Sequence, residues 1–91
     1  MSKSLYIFTL KGCPQCDDAK KQIIKSGISY FDIDIDEYPD IWNEVVEKTK
    51  QDYVPTIFFD EHDGEGKIFV PDKDYKNIDE LMKIIFENMG G

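Results

Sequence analysis

Leu5-Tyr6-Ile7-Phe8-Thr9-Leu10-Lys11-Gly12-Cys13-Pro14-Gln15-Cys16 contains both cysteines of a 91-residue chain, two residues apart. Leu5 to Leu10 is apolar at nearly every position, as a strand buried on both faces of a small sheet must be, so it reads as a central strand. A helix-like run starts at Pro14, where the missing N–H of proline costs nothing. The cysteines therefore sit at a strand-to-helix turn. In a short chain with no second cysteine pair, C-x-x-C at such a turn reads as a thiol-disulfide redox site.

The composition bounds the rest. With 41% apolar and 13% aromatic residues, the chain suffices for one domain over 1–91 with a single core. Met1-Ser2-Lys3-Ser4 leads into a strand's worth of apolar positions, not the apolar segment of a signal peptide, and no apolar run approaches a membrane span. A cytoplasmic or otherwise reducing setting is expected, where two cysteines do not serve as a static staple. The formal net charge of −8 disfavours nucleic acid and anionic membranes, whose affinity comes from clustered Lys and Arg.

After the cysteine turn, Asp17 and Asp18 precede Lys20, Lys21 and Lys25, the charge order that suits a helix dipole, with Ala19, Ile23 and Ile24 as an apolar stripe. Ser26-Gly27 ends this helix, Gly27 being free to take a left-handed cap. Tyr30 to Asp36 alternates, with Phe31, Ile33 and Ile35 on one face and Asp32, Asp34 and Asp36 on the other. Those aspartates do not complete a calcium loop: Glu37 stands where the glycine belongs and Asn43 where the bidentate glutamate belongs. They read as a solvated strand face. Pro39 opens a second helix with Ile41, Trp42, Val45, Val46 and Thr49 on its apolar side, and Trp42 reads as a core residue.

Tyr53 to Asp60 resumes strand character. Asp63-Gly64 is the strongest hairpin signal, and Lys67 to Val70 is the return strand. The sole histidine, His62, lies in that turn and reads as polar surface. Asp72 to Lys76 reads as a charged connection. Asn77 and Glu80 signal a capped helix start, followed by Ile78, Leu81, Met82, Ile85 and Met89 at helical spacing. The order β-α-β-α-β-β-α predicts an α/β fold: a four-stranded mixed sheet flanked by three helices, with a right-handed parallel unit first.

The chemistry follows from position. A helix N-terminus offers unpaired N–H groups and a positive dipole end, both of which favour a thiolate. Cys13 lies at that end and reads as the nucleophile. Cys16, inside the first turn and less exposed, reads as the resolving thiol, and Lys11 adds positive charge nearby. Half of a zinc site is the competing reading of C-x-x-C, but after two cysteines the chain offers one histidine and carboxylates, so no metal is expected.

The sequence resembles the glutaredoxin family of the thioredoxin fold. Phe8-Thr9 leading to Cys13-Pro14-Gln15-Cys16, the Val54-Pro55-Thr56 segment before a strand, and Asp79-Glu80-Leu81 at the last helix carry the resemblance along the chain. It implies a cis peptide bond before Pro55, substrate pairing by the backbone of Val54, and a substrate-binding set of Lys11, Pro14, Gln15, Val54, Pro55 and Asp79. It also implies a dithiol oxidoreductase acting as a monomer, with no tightly bound cofactor, taking electrons from glutathione to reduce protein or glutathione-mixed disulfides. Three departures bear on the substrate. Gln15 replaces a common Tyr and looks more like glutaredoxin-like hydrogen donors of ribonucleotide reductase, which a thioredoxin-type reductase reduces. Leu10 replaces a common lysine, with Lys11 one place later. Lys76-Asn77 replaces the double glycine that lets backbone approach glutathione. The C-G-F-S motif of monothiol iron-sulfur carriers is absent; from another class, a thioredoxin-fold binding or iron-sulfur-carrying module is the alternative.

Overall fold

Pro14 and Pro39 each open a helix and Pro55 precedes a strand, and these three prolines punctuate the chain much as the sequence suggests. The computed structural model describes residues 3–61 and 66–89. Its elements are β1 (Lys3–Thr9), α1 (Pro14–Lys25), β2 (Phe31–Asp34), α2 (Pro39–Thr49), β3 (Thr56–Glu61), β4 (Lys67–Phe69) and α3 (Ile78–Asn88). The Asp63-Gly64 turn and His62 lie outside the described residues.

The four strands form one mixed sheet in the order β2-β1-β3-β4. β1 runs parallel to β2, with Ile7 opposite Asp32, and antiparallel to β3, with Ile7 opposite Ile57. β3 pairs antiparallel with β4. The central placement of β1 matches its apolar sequence, since a strand with neighbours on both sides and layers on both faces leaves no polar position free.

Alternate residues of the sheet feed two separate apolar layers. Leu5, Ile7, Ile57 and Phe59 join Ala19 and Ile23 of α1 and Leu81, Met82 and Ile85 of α3. Ile7, Ile23, Ile57, Leu81 and Ile85 are fully buried, and each side chain so removed from water contributes roughly 1.5–3 kcal/mol. On the opposite face Phe8 packs with Trp42 and Val45 of α2, the two rings 5.6 Å apart between centroids. Trp42 is thus a core residue, as its helical spacing implies.

Several bounds differ from the sequence reading, each for a local reason. β1 begins at Lys3 and stops at Thr9 instead of running from Leu5 to Leu10, because the chain turns at Gly12, whose φ of 82° lies in the left-handed region. β2 is four residues, not seven, being an edge strand with one neighbour; Ile35 lies beyond it and retains a single bond, its N–H donating to Thr9 O at 2.9 Å. β3 starts at Thr56, not Tyr53, since Pro55 has no N–H for the ladder. Phe31 and Ile41 are 55% and 43% exposed, so the apolar faces drawn through them are narrower than their spacing implies. Phe31 stacks instead on Tyr6, 5.0 Å between ring centroids.

Candidate functional site

α1 is capped by a cysteine. Cys13 has extended backbone angles, and its Sγ accepts a hydrogen bond from the Cys16 N–H at 3.1 Å, the role usually taken by a Ser, Thr, Asp or Asn oxygen. The turn is closed from both sides. Cys13 N–H donates to Leu10 O at 3.2 Å, and Asp17 N–H donates to Cys13 O at 3.1 Å. Pro14 occupies the first helical turn and is exposed.

Both thiols are free, but their surroundings differ. Cys13 is half-buried and within reach of solvent, whereas Cys16 is wholly buried. Burial pushes the Cys16 thiol up to about 12, helped by its hydrogen bond to Cys13; a backbone contact at Leu10 and the charge of Lys20 act weakly the other way. One thiol reaches solvent and the other is held protonated by its burial.

Across a cavity from Gln15 of the cysteine turn is a wall that the sheet does not build. The Val54–Pro55 peptide bond is cis, as the resemblance implies. Pro55 is buried and Val54 half-buried. Two hydroxyls hold this wall: Thr56 Oγ1 donates to Tyr53 O at 2.7 Å, and the Tyr75 hydroxyl donates to Pro55 O. Burial raises the Tyr75 hydroxyl far above its ordinary range, with further contributions from Cys16, Asp74 and Cys13, so it stays a donor. A cavity of about 240 Å³ opens here, lined among others by Gln15, Tyr53, Val54, Pro55, Tyr75 and Asn77.

Beside the cavity, the start of α3 is satisfied by its own side chains. Asn77 Oδ1 accepts from Glu80 N–H at 2.8 Å, and Glu80 Oε1 accepts from Lys76 N–H at 2.7 Å. This is a capping box whose return bond falls one residue early.

The sequence-derived set is therefore divided. Gln15, Val54 and Pro55 meet at the cavity. Lys11 lines a different concavity of about 300 Å³, with Thr9, Lys20 and Asp32. Asp79 faces a groove between α1 and α3, with Gln22 and Lys83. The cavity thus contains neither Lys11 nor Asp79. Asp32 is also more than solvated surface: it accepts from Thr9 Oγ1 at 2.6 Å and pairs with Lys20 at 3.0 Å, which raises the Lys20 ammonium. Tyr75 was hidden in a run of charged residues; the apolar residues Val70 and Pro71 just before that run are the only sequence hint that the connection folds back on the core.

A family model described as Glutaredoxin matches residues 5–63. The chain belongs to the glutaredoxin family. Glutaredoxins are in general thiol-disulfide oxidoreductases that work with glutathione and disulfide substrates. The matched part spans β1 through β3, including the cysteine turn and the Val54–Pro55 wall, and ends before α3. Comparison with curated protein sequences gives no match.

Among solved structures, the chain is similar to a thioredoxin of Malassezia sympodialis, with TM-score 0.65 and 14% identity, covering 97% of this chain and 78% of that one. Reduced desulfothioredoxin of Desulfovibrio vulgaris Hildenborough gives TM-score 0.63 and 22% identity over 96% and 82% of the two chains. A glutaredoxin of Brucella melitensis gives TM-score 0.52 and 22% identity over 93% and 80%. These likenesses establish a thioredoxin-like fold for this family member. Among the described residues, no group of three or more His, Cys, Asp and Glu is placed to hold a metal ion, and no helix is long and apolar enough to cross a membrane.

Proposed function

We propose that this glutaredoxin-family chain is a dithiol oxidoreductase that reduces protein disulfides or glutathione-mixed disulfides. The observation that carries this reading is the pair of unlike thiols on one helical turn, Cys13 capping α1 and Cys16 buried behind it. The Cys13 thiolate attacks one sulfur of the substrate disulfide, forming a mixed disulfide and releasing a thiolate that takes up a proton. Cys16 then gives up its proton and attacks Cys13 Sγ. A Cys13–Cys16 disulfide forms and the second substrate thiol leaves, so the substrate gains the two electrons that the protein loses. At the helix N-terminus the Cys16 N–H already points at the Cys13 sulfur. Pro14 and Gln15 flank the attacking sulfur, Val54 offers backbone for pairing with the substrate, and Pro55 forms the wall behind it. Lys11 and Asp79, on separate concavities, contribute charge at longer range.

In the leading reading glutathione restores the dithiol, two molecules giving up two electrons and leaving as glutathione disulfide. The protein then works as a cytoplasmic monomer with glutathione as co-substrate and no tightly bound cofactor. One observation favours a second reading. The self-capped start of α3 occupies the Lys76 and Glu80 N–H groups that would otherwise be free to hold a ligand carboxylate. That favours a redoxin reduced by a thioredoxin-type reductase and serving a protein such as ribonucleotide reductase. Supplying the oxidised protein with NADPH and either glutathione plus glutathione reductase, or thioredoxin reductase, separates the two. NADPH consumption in the glutathione arm is expected; consumption only in the thioredoxin reductase arm overturns the glutathione assignment, and consumption in neither overturns both.

A further inference from the structure

The Val54–Pro55 wall beside Gln15 is held in part by a residue from elsewhere in the chain. β3 begins at Thr56, so Tyr53, Val54 and Pro55 lie outside the sheet ladder, and Pro55 has no N–H to donate. The bond from Thr56 to Tyr53 is local and closes only the turn. Among the described residues, neither the N–H nor the C=O of Val54 has a hydrogen-bond partner. Among the described residues, the one long-range hydrogen bond to Tyr53, Val54 or Pro55 is that of the Tyr75 hydroxyl to the Pro55 carbonyl, 20 residues away.

Tyr75 is itself fixed. Its ring is 5% exposed and packs in the apolar layer shared with α1 and α3. Its loop is braced by Val70 N–H donating to Asp74 Oδ2 at 2.8 Å, Asp74 N–H to Val70 O at 3.0 Å and Asp72 N–H to Tyr75 O at 2.8 Å. The hydroxyl therefore comes from a rigid support and reaches a segment whose side chain at Val54 packs on the Phe8, Trp42 and Val45 layer but whose backbone is outside the ladder.

We infer that Tyr75 is a positioning residue for polypeptide substrates: by holding the Pro55 carbonyl, its hydroxyl fixes the unpaired Val54 backbone as an edge on which an extended chain carrying a disulfide aligns beside Cys13. This rests on the thiol-disulfide reading above. Tyr75 takes no part in bond making. The cysteines exchange electrons and protons as already described, and a small disulfide with no peptide backbone has nothing to align on Val54.

The test compares two second-order rate constants, for oxidation of the fully reduced protein by insulin and by bis(2-hydroxyethyl) disulfide, in wild type and Tyr75→Phe. Phenylalanine keeps the buried ring and deletes only the hydroxyl. The insulin rate is expected to fall about five-fold, the worth of one hydrogen bond, while the small-disulfide rate is unchanged. Equal changes in both rates, as a fold-wide loosening would give, overturn the inference, and so does no change in either. A wild-type protein oxidised by neither disulfide overturns the redox reading itself, which separates that failure from a failure of the role given to Tyr75.

Discussion

The two sides of the site are built by different means. The cysteine side is one local turn: Gly12 reverses the chain, Cys13 caps α1, and Cys16 is buried in its first turn, so bonds among Leu10, Cys13, Cys16 and Asp17 define the geometry. The facing side is assembled from distant pieces, Tyr53 to Pro55 before β3 and Tyr75 to Asn77 before α3, joined through a hydroxyl and a carbonyl. Chemistry that needs two sulfurs in fixed relation is well served by local geometry. Recognition of a long partner needs an edge, and an edge beside a sheet end must be held from outside the ladder. Substitutions on the two sides should accordingly fail in different ways.

The largest contrast is expected at Cys13. Cys13→Ser should lower disulfide reduction at least about a thousand-fold, since the hydroxyl is a far weaker nucleophile than the thiolate it replaces. Changes at the facing wall should cost only a few-fold, and a steady-state assay with insulin resolves the two classes. A comparable loss on both sides would break the division between them.

Next comes the resolving step. Cys16 is held near 12, above its ordinary value of 9.0, mainly by burial and then by its hydrogen bond to Cys13. Its thiolate fraction therefore grows with pH throughout the accessible range. Resolution of the mixed disulfide should quicken about ten-fold per pH unit from neutral pH upward, as quenched-flow mass spectrometry can follow. A plateau by pH 9 would mean that Cys16 ionises far more easily than its burial dictates. The same shift makes stability fall with pH above 9, because there the folded state retains a proton that the unfolded state has lost.

Asn77→Ala sharpens the comparison from the facing side. Loss of the bond to Glu80 N–H should cost about 1 kcal/mol, or roughly 4–8 °C in Tm for a domain of this size, while the rate of Cys13 alkylation by iodoacetamide stays constant. The smallest effect is expected for Asp32→Asn. Its pair with Lys20 is partly exposed at both ends, so chemical denaturation should register less than about 1 kcal/mol.

The same division governs how much could be read from the chain alone. The strand into Cys13, the helix from Pro14, the Asn77 cap and the apolar stripe of α3 are local or periodic signals, and each reappears in the structure. The Val54–Pro55 wall came only through family resemblance, because nothing in its own sequence distinguishes a proline beside a sulfur pair from one that merely opens a strand. Tyr75 was missed because its partner is 20 residues away and its neighbours are charged. Lys11 and Asp79 were grouped with the others through the family resemblance, but the turn at Gly12 and the course of α3 carry them to other concavities. Phe31 shows a further limit: alternation gives the face of a strand, but not how far the covering helix extends.

The most direct measurement is to trap the first half-reaction. Reduced Cys16→Ser mixed with a disulfide-bonded polypeptide should give one covalent adduct per chain by intact mass, and peptide mapping should place the linkage on Cys13, with the Val54 amide newly protected from hydrogen exchange. An adduct on Cys13 without protection at Val54 would contradict the role of the facing wall, and no adduct under conditions where a free thiol reacts would contradict the role of Cys13.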